Sequence, residues 1–149
     1  MAPRKRKAPL PSPLQLAIAS EPQKIAEVEE EVERYLLPWV PAEDDRDSIA
    51  IALTEALSNA IYHGNRLDPR KQVVIWVWIE PGQVKLRVKD EGEGFDPSAL
   101  EDPLTPENLL RDRGRGIFIL RALMDSVDFD FSQGGTVVTL VKKLKGPAQ

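Results

Sequence analysis

TEALSNAIYHGN, residues Thr54–Asn65, decides how the chain is read. At 100° per residue on a helix, Leu57, Ala60 and Ile61 continue an apolar face begun by Ile49, Leu53 and Ala56. Glu55 and Asn59 stand four residues apart, so they stack on one flank of that face, and His63 extends the row. Polar groups at the margin of a core are where a cleft forms. A carboxylate beside an amide oxygen suits a hard cation such as Mg²⁺, and the carboxylate can instead accept a proton. Taken alone, the same pair reads more simply as ordinary hydrogen bonds at a core boundary, since i,i+4 polar pairs are common.

The helix carrying this stretch is expected from about Ala42 to His63. Its acidic residues at positions 43–45 and 47 are placed early, where the helix dipole favours them, and Gly64 is read as its C-terminal cap. Upstream, Leu14–Ala19 alternates weakly and reads as an edge strand. Ser20 with Gln23 three residues on reads as a capping box for a helix over Pro22–Leu37. That helix carries Ile25, Val28, Val32, Tyr35 and Leu36 on one stripe and is stopped by Pro38 and Pro41. Downstream, Gln72–Ile79 reads as a strand buried on both faces. Pro81-Gly82 then turns the chain into the alternating Val84–Asp90, giving a hairpin. An amphipathic helix over Gly116–Asp125 and a last antiparallel pair, Val127–Phe131 with Thr136–Lys143, complete the order. The expected architecture is one α+β domain over residues 14–144, a two-layer sandwich. Its sheet is mixed but mostly antiparallel, with helices on one face.

Composition narrows the chemistry. At 149 residues the chain suits one domain, and its 42% hydrophobic and 30% charged residues are ordinary for a globular protein. Zero cysteines exclude disulfides and thiolate chemistry, and the single histidine argues against a histidine zinc site. The longest apolar run, Val73–Ile79, has the length of a strand, so no membrane span is expected. The start MAPRKRK leads into prolines rather than an apolar segment, and a cytoplasmic location is expected. Residues 1–13 read as a disordered basic, proline-rich arm and residues 145–149 as a tail. The net charge is −4; removing the four positive charges of Arg4–Lys7 leaves −8, an acidic body. Such an arm could contact nucleic acid or an acidic partner, but reads more simply as a solvated end. The acidic body argues against nucleic acid as the main ligand.

Two further constellations carry chemistry. Asp90-Glu91-Gly92-Glu93-Gly94-Phe95-Asp96 follows a strand directly. Its alternate glycines let the backbone turn tightly against a ligand, and Asp90 offers an acceptor suited to an exocyclic amine. The glycine positions do not match a calcium-binding EF-hand loop. Arg111-Asp112-Arg113-Gly114-Arg115-Gly116-Ile117 opens a helix, where unpaired N–H groups and added cations favour phosphate. It is neither a Walker loop nor a Rossmann fingerprint, and in isolation it reads equally as a helix cap with a basic rim.

Taken together and in this order, Glu-x-x-x-Asn, Asp-x-Gly-x-Gly and Gly-x-Gly resemble the ATP-binding domain of the GHKL superfamily, which has the Bergerat-type fold. ALTEALSNAIYHGN, VKDEGEGFDP, GRGIFILRALMDSV and GGTVVTLVKKL are most similar to the anti-sigma-factor serine/threonine kinases. The resemblance covers about Leu14 to Leu144.

It implies ATP and Mg²⁺ as ligands, with Asn59 on the metal and Glu55 as general base. Asp90 would take the adenine amino group, with Gly92 and Gly94 closing round the base and Thr136 placing its hydroxyl near it. Gly114, Arg115, Gly116 and Ile117 would cradle the phosphates. One of Arg111, Arg113 or Arg115 would reach the terminal phosphate, and residues 97–113 would form the lid. Implied partners are a sigma factor and an anti-sigma antagonist of the STAS type, with a homodimer as the assembly. A length of 149 residues leaves no room for a histidine-kinase phosphoacceptor domain, which favours the stand-alone type. The alternative is a nucleotide-gated partner-binding module that transfers no phosphate.

Overall fold

The computed structural model describes residues 9–92 and 114–145, with side chains in the second stretch from Gly116. The expected lid, Gly94, Arg111 and Arg113 lie outside the described residues, as do the basic residues Arg4–Lys7.

The sheet is built from β1 (Leu14–Ala19), β2 (Gln72–Glu80), β3 (Gln83–Lys89), β4 (Ser126–Asp130) and β5 (Val137–Lys143), in the order β1-β2-β3-β5-β4. All four pairings are antiparallel, so the sheet is not mixed. Against it lie α1 (Ile25–Leu36), α2 (Glu43–Ser58) and α3 (Gly114–Leu123). Register explains the layering. Val77 pairs with Leu86 and Leu86 with Leu140, so these apolar residues share a face. That face joins Val28, Val32, Leu53, Leu57 and Leu120 in one buried cluster between sheet and helices.

β2 is fully buried on one side only. Val73, Ile75, Val77 and Ile79 enter the core, while Val74, Trp76 and Trp78 are half-buried on the sheet's other face. No helix covers that face among the described residues. Long neighbours shield it instead: Lys85 Nζ stands 4.7 Å and Arg87 Cζ 5.2 Å from the Trp78 ring centroid. Continuous hydrophobicity in sequence therefore came from aromatic side chains under cationic stems.

Other local expectations change. Ser20 is no helix cap: it is buried, and its Oγ donates to Lys71 O at 2.9 Å. Gln23 donates to Glu21 instead, and a 3₁₀ turn over Pro22–Lys24 leads into α1. α2 ends at Ser58, and Asn59–Gly64 forms a π turn in place of a continued α-helix. Gly64 is not its C-cap; Asn65 is, with φ −86°, and its N–H bonds to Ala60 O at 2.8 Å. α3 begins at Gly114, two residues before the expected start. At the edges, Tyr35 Oη donates to Ser12 O at 2.7 Å, and Lys145 N to the buried Asp45 at 2.9 Å.

Candidate functional site

Three separated segments meet above the centre of the sheet. α2 and its π turn bring Glu55 and Asn59; the end of β3 brings Asp90; the turn into β5 brings Thr136. Asn59, Asp90 and Thr136 line one narrow hollow, walled by Leu120 of α3 and by Val88 and Val138 of the sheet.

Asp90 is 3% exposed and held by backbone. Its Oδ1 accepts the N–H of Gly92 at 2.9 Å and that of Thr136 at 3.1 Å, while its own N–H donates to Thr136 O at 3.0 Å. Burying a carboxylate is costly unless such donors compensate it, and bonds to an ionised group are the stronger kind. Three glycines make the space. A Cβ on Gly64 would overlap the Asp90 carboxylate, one on Gly92 would overlap Gly64 O, and one on Gly135 would overlap Asp90 O. The π turn thus delivers Gly64, rather than a side chain, to the back of Asp90.

Glu55 and Asn59 face the first turn of α3. A Cβ on Gly116 would stand 3.0 Å from Glu55 Oε2 and 3.3 Å from Asn59 Nδ2. Gly114, Arg115, Gly116 and Ile117 are the first four residues of α3, whose N–H groups have no acceptor within the helix. A carboxylate there meets the positive end of the helix dipole. The Ile117 side chain is buried in the core, so only its backbone can face a ligand.

Asn59 Nδ2 is buried without a hydrogen-bond partner. A buried amide in that state is uncommon and calls for an explanation. Nothing pins its orientation, so a half-turn of the amide presents an oxygen at the same place. Donor set and cradle therefore fit a metal-bound polyphosphate: a buried unbonded amide, a carboxylate, and a helix N-terminus with glycine at the contact.

Sequence reasoning missed Gly135 and Asn65, and took Gly64 only as a helix cap beside the cleft. Gly135 stands beside Thr136 in the Gly-Gly-Thr run already singled out. Asn65 follows Gly64 directly and is 1% exposed, with three side-chain hydrogen bonds.

Comparison with known proteins agrees with this fold. Residues 18–142 match the family described as histidine kinase-like ATPase domain. An anti-sigma F factor of Geobacillus stearothermophilus is 36% identical over 128 residues, covering 83% of this chain and 86% of that protein. A serine-protein kinase RsbW of Staphylococcus epidermidis is 29% identical over 109 residues, 68% of each chain. Among solved structures, the RsbU and RsbW domains of a Mycobacterium tuberculosis protein align over 93% of this chain with a TM-score of 0.70 at 21% identity. This chain spans 34% of that longer one, and at such identity the likeness concerns the fold. The mycobacterial sensor histidine kinase MprB aligns over 89% of this chain with a TM-score of 0.52. Match, architecture and the meeting of the three segments lead to one assignment: the chain belongs to the histidine kinase-like ATPase domain family.

Proposed function

We propose that the protein is an ATP-dependent serine/threonine protein kinase that binds a sigma factor and phosphorylates a STAS-type anti-sigma antagonist. The observation that carries it is the position of Glu55 beside Asn59 and the first turn of α3. Binding ATP needs no carboxylate at that point; taking a proton from an attacking hydroxyl does. Names of relatives, anti-sigma F factor and serine-protein kinase, support the same reading.

Each residue has a task in it. Asp90 accepts the adenine amino group, Thr136 places its hydroxyl beside the base, and Gly92 and Gly94 let the backbone close round it. The first N–H groups of α3, from Gly114 to Ile117, hold phosphate oxygens, with Arg113 and Arg115 adding positive charge. Asn59 is the metal ligand. A bound Mg²⁺ would supply neutralisation of the phosphate charge. Glu55 takes the proton of the serine hydroxyl as its oxygen forms a bond to the γ-phosphorus and the bond to the ADP oxygen breaks. The chain's part is positioning and charge, which phosphoryl transfer chiefly requires. From the resemblance we also expect a homodimer in the cytoplasm; among the described residues no helix is long and apolar enough to cross a membrane.

The test is incubation with Mg-ATP and a STAS protein encoded beside it. Phosphoserine on that protein is expected, and Glu55→Gln is expected to bind ATP while losing transfer. ATP binding without transfer by the unaltered protein would leave the non-catalytic partner-binding module instead.

A further inference from the structure

We infer that Asn65 is a positioning residue that sets nucleobase preference, by fixing the backbone on which Asp90 is mounted; this rests on the ATP reading above. Its side chain joins three segments. Oδ1 accepts the N–H of Glu91 at 2.7 Å, and Nδ2 donates to Ser20 Oγ at 2.5 Å and to Gln72 O at 2.9 Å. Ser20 Oγ passes the chain on by donating to Lys71 O. The Glu91 carboxylate accepts the N–H of Gln72, closing the loop between the β3 end and the β2 start.

The orientation of this amide is determined. One side meets an N–H donor and the other a carbonyl acceptor, so exchanging oxygen and nitrogen would break both bonds. Only an amide supplies the acceptor and both donors. Linked bonds of this kind also polarise one another in a buried setting.

Backbone geometry gives a second, independent sign. Arg66 and Leu67 directly follow, at φ 51° and 61°, the left-handed region that residues with a Cβ avoid. Such a pair persists where the surroundings over-determine it. Here Leu67 N bonds to Ile61 O and Asp68 N to Asn65 O. With the preceding π turn, the bend directs Asn65 inward while letting the chain leave for β2.

The consequence falls one residue away. Glu91 N–H is held by Asn65, and Asp90 is its neighbour, with its carboxylate caught by Gly92 and Thr136. Removing the Asn65 amide leaves Glu91 N–H without its acceptor, so the turn shifts and carries Asp90 with it. Hydrogen bonds to a base weaken steeply with misalignment, whereas the triphosphate is held at Asn59 and the first turn of α3, neither of which the Asn65 side chain bonds.

The experiment compares ATP with inosine triphosphate, which carries oxygen where ATP has the 6-amino group. The unaltered protein is expected to prefer ATP by about tenfold or more, as for one charge-assisted bond. Asn65→Ala should reduce the preference to within about twofold while still binding inosine triphosphate with similar affinity. Asn65→Asp keeps an acceptor for Glu91 but loses both donors and sets a carboxylate oxygen against Gln72 O, so it should also reduce the preference, and it serves as the deciding variant if Asn65→Ala does not fold. An unchanged preference in Asn65→Ala, or in a folded Asn65→Asp where Asn65→Ala does not fold, overturns the inference alone. Failure of the unaltered protein to bind either nucleotide, or binding of both equally, overturns the reading of the pocket and the inference with it.

Discussion

A methyl group is enough to test how tightly Asp90 is enclosed. Gly64→Ala would drive a Cβ into the Asp90 carboxylate, so nucleotide affinity is expected to fall at least tenfold. Overpacking also costs about 1–3 kcal/mol of stability, measurable by denaturant titration. Asn59 makes the opposite kind of site. Its Nδ2 has no partner, so Asn59→Ala should leave stability unchanged or slightly raised while abolishing Mg-dependent ATP binding. Asp90→Asn should weaken ATP binding by about 1–3 kcal/mol, the scale of a lost bond to a charged group. Asn59 and Asp90 were legible as chemistry-bearing positions because their motifs are local, a four-residue helical spacing and an Asp-x-Gly-x-Gly after a strand, whereas Thr136 entered only through the family resemblance. Gly64 and Gly135 were not legible as close-approach positions. What each meets is a residue distant in sequence, and a glycine alone does not say which neighbour it admits.

At the scale of elements, the helix that carries the site is anchored by a buried apolar face. Leu57 is fully enclosed, and Leu57→Ala is expected to cost about 2–5 kcal/mol by thermal or chemical unfolding. The hairpin that presents Thr136 has a pH-sensitive turn. Bonds from the Ser132 hydroxyl, then from the Ser132 N–H, hold the Asp130 carboxyl below the usual carboxylate range. A lowered folded pKa gives stability that is present above the unfolded value, about 3.9, and is lost as pH falls through the folded one. Stability measured from neutral pH downward should therefore decline less steeply below about pH 4 in Asp130→Asn. Apolar period revealed α1, α2 and the two hairpins. The π turn was hidden, because Asn59–Gly64 has the apolar spacing of ordinary α-helix and is told apart only by its backbone bonds, such as Asn65 N–H to Ala60 O. Ser20 was misread for a related reason: its hydroxyl is used by β2's approach, a partner 51 residues away.

For the whole molecule, two layers leave one sheet face without a helix among the described residues and gather the candidate site at the helix side of β3 and β5. Away from Arg4–Lys7 the charge balance is acidic, which disfavours nucleic acid as a ligand. Class and layering were readable from element order alone, since antiparallel hairpins and amphipathic helices have one economical packing. Antiparallel pairing throughout was not, because it depends on β1 joining β2, a contact closed over the whole of α1 and α2. In the proposed function, α2, the end of β3, the turn into β5 and the start of α3 form one pocket for Mg-ATP. A calorimetric titration of the protein with ATP, with magnesium and with it chelated, tests this most directly when repeated on Asn59→Ala and Asp90→Asn. Single-site binding that requires magnesium and is lost or weakened in both variants is the predicted result. Absence of binding, or the same affinity in all three proteins, would contradict it.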